Sequence, residues 1–358
     1  MRTTQKLHDL GQSLWLDNIT RSLLTGGALR RYIDELSVTG LTSNPTIYDH
    51  AIKNTSDYDA AIRRKVTEGK SGEALFFELA LEDLTQAADL FRPIYDRSGG
   101  VDGWVSLEVS PQLAHDAAAT LAAAKDLHAR AGRPNLFIKI PGTPEGLPAI
   151  TEAIAAGIPV NVTLLFSADH YRAAAEAYLA GVERRLADGL DPAMGSVASV
   201  FMSRWDAAVA KQVPANLVDQ LGLAVGLDIY RAYRQLMSSD RVQRLQNDGA
   251  RMQRLLWAST KTKDPNASDT LYVDGLAAPY TVNTMPDATL EAFYDHGDVG
   301  DPLPADGGDV DARLDRFRQA GVDTAEVAAK LQRDGAASFV AAWNELMDRI
   351  ATQLAAVA

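Results

Sequence analysis

Lys139 is the residue whose type and surroundings best suit covalent chemistry. It lies in the segment NLFIKIPG, Asn135–Gly142, an apolar and β-branched run that ends in Pro and Gly. A run of this kind predicts a buried strand. A buried lysine is costly unless it is paired with a carboxylate or has lost its proton. The segment alone favours an ion-paired lysine over a nucleophile that forms a Schiff base with a carbonyl carbon.

Eight short apolar runs alternate with helical patterns, and each is a predicted strand. They are Ser13–Asn18, Val38–Thr42, Gly103–Val109, the Lys139 segment, Ile158–Phe166, Ser196–Phe201, Arg254–Ser259 and Pro279–Asn283. Eight such units predict an α/β fold, a closed (β/α)8 barrel with a parallel sheet. We expect one domain over residues 1–358, with the barrel at about 12–295. The Rossmann alternative lacks its G-x-G-x-x-G motif.

Helix boundaries follow from capping residues and breakers. Asn44-Pro45 and Ser167 are predicted helix starts, and Ser110-Pro111 is predicted to begin an Ala-rich helix that ends at Gly132. A long helical region is predicted over Trp205–Asp240. After the barrel we expect a C-terminal helical extension over about 311–358, in three pieces: Ala312–Ala320, Thr324–Asp334 and Ala336–Leu354. The last piece has an apolar stripe that we interpret as core packing: Phe339, Trp343, Leu346, Met347, Ile350 and Leu354.

Polar residues at the carboxyl ends of the strands would meet at one mouth of the barrel, where such barrels build their active sites. In strand order they are Asp17, Asn44, Glu108, Lys139, Asn161, Thr163, Ser199, Arg204, Ser259, Thr260 and Lys261. Each alone is a common cap or turn residue. Their concentration at one end of the barrel is what predicts a functional site.

These residue types suit carbonyl chemistry. A lysine nucleophile needs a neutral amine, so its pKa must fall from about 10.4 toward about 7–8. Burial lowers that pKa, whereas a nearby carboxylate raises it. We therefore expect Asp17 and Glu108 to transfer protons, together with a hydroxyl such as Thr163, rather than to activate the lysine. The candidates to bind a phosphate at the rim are Arg204, Ser259 and Lys261.

Composition restricts the partners. The formal net charge of −12 argues against nucleic acid or an anionic membrane as the main partner. The absence of cysteine excludes disulfides and thiol catalysis. The start, MRTTQKLHDLGQSLW, lacks the apolar core of a signal peptide, and no apolar stretch is long enough to span a membrane. We expect a cytoplasmic protein, either a monomer or a homodimer.

Five segments together resemble the transaldolase family. They are GLTSNPTI, VSLEVSP, FIKIPGTPEG, NVTLLFS and SVFMSR, and they begin at residues 40, 105, 137, 161 and 199. The chain length and the segments WASTKTKDP and TVNTMPDATLEAF resemble the longer bacterial subgroup. The resemblance implies a TIM barrel of the class I aldolase type, with neither metal nor cofactor. It implies transfer of a dihydroxyacetone unit from sedoheptulose 7-phosphate or fructose 6-phosphate to glyceraldehyde 3-phosphate or erythrose 4-phosphate, in the non-oxidative pentose phosphate pathway.

The resemblance also implies a role for each matched residue. Lys139 forms the Schiff base, Asp17 handles the proton in carbon–carbon cleavage, and Glu108 and Thr163 position the catalytic water. The implied substrate-binding residues are Asn44 and Asn161 for the dihydroxyacetone hydroxyls, Ser199 for another hydroxyl, Phe201 as an aromatic wall, and Arg204 for the phosphate.

The seventh strand departs from the family pattern. Many members carry a second phosphate-binding arginine there, whereas this chain has Ser259-Thr260-Lys261. Lysine is a point charge without the bidentate fork of arginine. We expect Lys261 to contact the phosphate as a single charge in place of that arginine, and Lys263 could share the role.

Three other functions compete with this interpretation. A lysine aldolase would release free dihydroxyacetone instead of passing it to an acceptor. A barrel that only binds sugar phosphate would have no need of an amine nucleophile. A metal-dependent barrel could use Asp17 and Glu108, but none of the six histidines falls at these strand ends.

Overall fold

Eight parallel strands close into a barrel in chain order, and the last strand pairs with the first. The computed structural model describes residues 2–357, with side chains described for residues 2–353. The strands are β1 Gln12–Asp17, β2 Val38–Thr42, β3 Val105–Glu108, β4 Leu136–Pro141, β5 Val160–Leu165, β6 Ser196–Phe201, β7 Arg254–Ala258 and β8 Thr281–Met285. The predicted (β/α)8 barrel is confirmed.

The eighth strand begins two residues later than predicted, at Thr281 instead of Pro279. The cause is Tyr280, whose left-handed φ of 64° is incompatible with an extended strand. β8 ends at Met285 instead of Asn283 and thereby includes Thr284 at the mouth of the barrel. The Thr284 hydroxyl lies 2.7 Å from the hydroxyl of Thr42 on β2.

Helices surround the barrel and connect its strands. In the described range they are α1 Thr3–Leu10, α2 Arg21–Thr25, α3 Ala28–Glu35, α4 Pro45–Asn54, α5 Asp59–Thr67, α6 Gly72–Arg97, α7 Ala117–Ala131, α8 Gly146–Ala155, α9 Ala168–Ala187, α10 Ser203–Val209, α11 Leu221–Met237, α12 Asp240–Asn247, α13 Leu271–Asp274, α14 Asp287–His296, α15 Val310–Gln319 and α16 Thr324–Val357. As predicted, Asn44 caps α4 and Ser167 caps α9 by accepting hydrogen bonds from main-chain amides.

One predicted helix start is wrong. Ser110-Pro111 opens only a 3-10 turn, and α7 begins later, at Ala117, because the carboxylate of Asp116 caps it. The helical region predicted over residues 205–240 consists of α10, a short 3-10 turn and α11. Pro214 lies at the division and has no N–H to continue the helical hydrogen bonds.

The C-terminal extension also differs from its prediction. Thr324–Val357 is one continuous helix of 34 residues, because Gly335 stays helical instead of ending the first piece. Trp343, Leu346 and Ile350 are buried, as expected of a packed stripe. Phe339 is only partly buried. Leu354 lies outside the described side chains.

Aromatic side chains fill the barrel at its amino-terminal end. Trp104 stacks on Phe137 with ring centroids 4.0 Å apart, and Trp15 lies 6.2 Å from Phe137. The indole N–H of Trp15 donates to Asp102 at 2.9 Å. Gly40 allows this packing, because a Cβ at that position would come within 2.7 Å of the Trp15 ring. These rings fill the barrel interior at this end, and Asp17, Glu108 and Lys139 lie at the other.

α16 lies along the carboxyl-terminal mouth of the barrel. The side-chain amide of Gln332 donates to the carbonyl oxygens of Gly142, at 3.2 Å, and Leu164, at 3.0 Å. Further along the helix, Trp343 packs edge-on against Phe76, with ring centroids 5.0 Å apart. The mouth is thus bordered by a helix that does not belong to the barrel's own βα units. Within residues 2–357, no helix combines the length and apolar character needed to cross a bilayer.

Candidate active site

Strand register brings the central residues of the mouth to one level. Glu108 on β3 pairs with Lys139 on β4, and Lys139 pairs with Asn161 on β5. Asp17 on β1 pairs with Thr42 on β2. Because each side chain comes from a strand, the barrel backbone sets the spacing between the groups.

Lys139 is ion-paired, as its segment alone predicts. Its Nζ lies 2.6 Å from Oε1 of Glu108 and donates a hydrogen bond to the carbonyl oxygen of Ser43 at 3.1 Å. The two side chains are only 7% and 11% exposed. The amine therefore lies in a largely dry site, in direct contact with a group that can take its proton.

Asp17 is a second buried carboxylate near the lysine, and Lys139 acts on it through its charge instead of by direct contact. Burial raises the pKa of Asp17, while the charge of Lys139 and hydrogen bonds from Thr42 and Asn44 oppose the rise. Oδ1 of Asp17 accepts the Thr42 hydroxyl at 2.8 Å. Burial also raises the pKa of Glu108, and Lys139 again opposes it. Both carboxylates can hold a proton at a higher pH than exposed carboxylates can.

Thr163 presents a hydroxyl that is free to bind water or substrate. Its Oγ1 is buried and has no hydrogen-bond partner among the described residues. The next residue, Leu164, has a left-handed φ of 61°, and the pairing of β5 with β6 shifts register between Val162 and Leu165. Such bulges redirect side chains next to active sites.

Two of the three predicted contacts for sugar hydroxyls, Asn161 and Ser199, form one hydrogen-bonded group, and Asn44 lies apart from it. Ser199 donates to Oδ1 of Asn161 at 2.7 Å, and the Asn161 amide donates to Ser106 at 3.0 Å. Asn44 uses its side-chain oxygen to cap α4, accepting from the amide of Ile47 at 3.1 Å. Its amide group is thereby directed toward Asp17, whose pKa it lowers.

Aromatic rings and a guanidinium border the mouth next to β6. The Arg204 guanidinium lies 5.0 Å above the ring of Phe201. Burial lowers the pKa of Arg204. No carboxylate within residues 2–353 forms an ion pair with it, so its charge is available to an anion in the mouth. Phe339 from α16 lies on the same side, 6.4 Å from Phe201.

The seventh strand supplies cations through its following loop more than through its end. Ser259 has a φ of 54°, and its hydroxyl and carbonyl contact Ser203 at the start of α10, each at 3.0 Å. Lys261 is exposed. Lys263 is also solvent-exposed, yet desolvation and the charges of Lys261 and Arg204 lower its pKa, which Asp17 opposes. The charges of Lys261 and Arg204 thus act on Lys263 at the rim.

Sequence reasoning missed four contacts of this site: Thr42, Ser43, Gln332 and Phe339. Thr42 and Ser43 immediately precede Asn44 at the end of β2, so strand position could have identified them. Nothing in the sequence near α16 indicates a place at the mouth, because an apolar stripe has the same spacing whatever it packs against. The described residues contain no group of three or more His, Asp or Glu side chains placed to hold a metal ion.

Comparison with known proteins gives the relatives of this chain. The family model described as "Transaldolase/Fructose-6-phosphate aldolase" matches residues 14–350. A transaldolase of Saccharopolyspora erythraea is 45% identical over 357 residues, which cover 98% of this chain and 97% of that protein. A transaldolase of Thermobifida fusca is 45% identical over 361 residues, covering 98% of each chain. This chain therefore belongs to the transaldolase/fructose-6-phosphate aldolase family.

Proposed function

We propose that this protein is a transaldolase of the non-oxidative pentose phosphate pathway. It would transfer a dihydroxyacetone unit from sedoheptulose 7-phosphate or fructose 6-phosphate to glyceraldehyde 3-phosphate or erythrose 4-phosphate. Relatives named transaldolase at 45% identity support the activity. The observation that carries the mechanism is the buried Lys139 amine, which lies 2.6 Å from Glu108 and near enough to Asp17 for their charges to interact.

Covalent chemistry begins with proton transfer from the lysine. Glu108 touches Nζ, and burial raises its pKa, so it can accept the ammonium proton as the ketose enters. Glu108 would thereby help to activate the lysine, a role that the residue types alone did not predict. The neutral amine of Lys139 then attacks the ketone carbon to give a carbinolamine. Protonation of the carbinolamine hydroxyl lets it leave as water and yields the iminium. The free hydroxyl of Thr163 and the carboxylate of Glu108 are both suited to hold that water.

Asp17 is the group that we assign to carbon–carbon cleavage. It takes the proton from the hydroxyl on the carbon beyond the breaking bond, and that carbon leaves as an aldehyde. The bonding electrons pass to the iminium and form an enamine on Lys139. The raised pKa of Asp17 suits it to keep this proton and return it when the acceptor aldehyde adds. Hydrolysis of the new iminium then frees the product and restores the amine.

Binding is divided between hydroxyl and phosphate contacts. Asn44, Asn161 and Ser199 would hold the hydroxyls of the dihydroxyacetone unit, with Phe201 as a wall beside it. Arg204 would bind the phosphate, aided by Lys261 or Lys263 at the rim, because charge-assisted contacts to phosphate are strong. Ser259 would support this end of the site by holding the start of α10.

The test is intact mass after borohydride reduction with fructose 6-phosphate. We expect a dihydroxyacetone-sized adduct on the native chain and none on Lys139→Ala or on Lys139→Met, which preserves side-chain bulk. Thermal unfolding of both variants checks that they fold. An unmodified native chain would overturn the Schiff-base mechanism.

A lysine aldolase is the second candidate, because the matching family model names fructose-6-phosphate aldolase as well. It would share the adduct but release dihydroxyacetone without an acceptor. Turnover of fructose 6-phosphate that depends on added erythrose 4-phosphate supports the transferase. Equal turnover without the acceptor supports the aldolase.

We also propose a cytoplasmic enzyme that is a monomer or a homodimer. Light scattering during gel filtration measures the mass of the assembly directly. A mass of one or two chains is expected, and a larger assembly would overturn this part of the proposal.

A further inference from the structure

Phe339 lies beside the reactive lysine although it belongs to no βα unit of the barrel. Its ring centroid is 6.0 Å from Nζ of Lys139. The ring of Phe201, which comes from β6, is 6.4 Å from the ring of Phe339. An aromatic surface built from two distant parts of the chain therefore borders the amine.

α16 holds this ring in place by contacts on both sides of it. Two turns before Phe339, Gln332 donates to two carbonyl oxygens at the ends of β4 and β5. One turn after it, Trp343 is 2% exposed and packs against Phe76. Gly335 lets the helix approach closely, since a Cβ there would lie 3.0 Å from Leu164 and 3.2 Å from Arg204. The position of Phe339 is thus determined by tertiary contacts.

We infer that Phe339 determines whether the enamine on Lys139 is transferred to an aldehyde or is lost to water; this rests on the proposed function. The nucleophilic enamine carbon is two bonds from Nζ, about 2.5 Å away. An enamine that extends toward α16 would bring this carbon against the Phe339 ring, whose centroid is 6.0 Å from Nζ. An apolar ring has no proton to give and occupies space that water would otherwise fill.

Loss to water is a defined reaction that competes with transfer. The enamine carbon takes a proton from water, which gives the iminium and hydroxide. Hydroxide then adds to the iminium carbon, the carbon–nitrogen bond breaks, and free dihydroxyacetone leaves the restored amine. In transfer, the same carbon attacks the aldehyde carbon of the acceptor, and Asp17 protonates the aldehyde oxygen, which becomes the new hydroxyl. Excluding water from one side of the enamine slows only the first route.

The experiment compares Phe339→Ser with Phe339→Leu. Serine opens the space and admits water, whereas leucine keeps an apolar side chain of similar reach. With fructose 6-phosphate and erythrose 4-phosphate present, NMR measures free dihydroxyacetone released per unit transferred. We expect this ratio to rise about tenfold or more in Phe339→Ser, equivalent to about 1.4 kcal/mol between the two barriers. The ratio in Phe339→Leu should stay close to the native value.

Leu346→Ala is the matched control, because Leu346 is a fully buried residue of α16 two turns beyond Phe339. It loosens the packing of the helix without removing the ring. A native ratio in Phe339→Ser overturns the inference, and so does an equal rise in Leu346→Ala. Borohydride trapping on each variant keeps the two proposals apart. An adduct with an unchanged ratio refutes only the role of Phe339, whereas no adduct on the native chain refutes the Schiff base itself.

Discussion

At the residue scale, the two carboxylates of the site differ in what they contact. Glu108 touches Nζ of Lys139, so it is placed to exchange a proton with the amine. Asp17 contacts the hydroxyl of Thr42 and is attracted to Lys139 by charge without touching it. It is therefore available to a substrate hydroxyl. Two carboxylates near one lysine can perform different proton transfers because one is engaged by the lysine and the other is not.

Asp17→Asn should abolish most activity and leave the fold at least as stable. Without a base, the turnover number should fall by about 10²–10⁴-fold. Burial raises the pKa of Asp17 in the folded chain, so as pH rises past 3.8 this carboxyl group ionises in the unfolded chain before it ionises in the folded one. Ionisation of Asp17 at neutral pH therefore opposes folding. The variant should therefore resist urea as well as the native chain or better at pH 7, with a smaller difference near pH 4. Greater urea sensitivity of the variant at pH 7 would contradict the raised pKa of Asp17, and a near-native turnover number would contradict its role as the base.

A second prediction at this scale concerns the lysines at the rim of the mouth. Desolvation and the charges of Lys261 and Arg204 lower the pKa of Lys263, and the charge of Asp17 opposes them, so the Lys263 amine lies near the mouth. We expect Lys263→Met to raise KM for fructose 6-phosphate by about tenfold or more, as for a lost charged hydrogen bond. Lys261→Met measures the contribution of the other rim lysine that is proposed to aid Arg204. Steady-state kinetics with unphosphorylated fructose, whose KM should not change, separates phosphate binding from general damage.

At the element scale, the close contact of α16 with β5 and α10 shapes the phosphate end of the site. Gly335 lies where the helix passes Leu164 and the Arg204 guanidinium. Elsewhere in a helix, replacing Gly by Ala stabilises by about 1 kcal/mol. Here the added methyl group would press on the side chain that we assign to phosphate.

Gly335→Ala should therefore displace Arg204 and raise KM for the phosphorylated donor more than it changes the turnover number. Ala337→Gly is the control, because Ala337 is an exposed residue of the same helix and its change affects only helix propensity. Steady-state kinetics of both variants with fructose 6-phosphate measure KM and the turnover number, and only Gly335→Ala should raise KM. A native KM in Gly335→Ala would show that the contact does not position Arg204.

At the scale of the whole molecule, the two ends of the barrel have separate tasks. The amino-terminal end is filled by Trp15, Trp104 and Phe137, with Asp102 accepting hydrogen bonds from Trp15 and Ser13. The carboxyl-terminal end carries the groups that we assign to chemistry. This division follows the general rule that one face of such barrels provides stability and the other chemistry.

Asp102→Ala should accordingly reduce stability without altering kinetics. It leaves two buried donors without their acceptor, which should lower the free energy of unfolding by about 3 kcal/mol. Urea unfolding measures this loss, and KM and turnover number should stay within about twofold of native. Asp96→Ala is the control, since Asp96 is exposed and pairs with Arg92 on its own helix. A large kinetic effect of Asp102→Ala would contradict the separation of the two ends.

Much of this protein follows from its sequence because the relevant patterns are local. The alternation of apolar runs and capped helices predicted the closed barrel, and strand ends predicted that Asp17, Glu108, Lys139 and Asn161 share one mouth. Within a parallel barrel the carboxyl ends of all strands meet, so strand position alone brings these residues together. The predicted ion pair of the lysine follows from the same logic, since a buried charge needs a partner.

Tertiary structure decided what depends on contacts between distant segments. The stripe of α16 indicated burial but not the surface against which it packs, so the placement of Phe339 beside Lys139, 200 residues earlier in the chain, had no local signal. Backbone turns at Leu164 and Tyr280 are set by the closure of the barrel and not by residue preference, because neither side chain favours a positive φ. Sequence thus determined which groups line the mouth, and docking of the last helix determined what covers them.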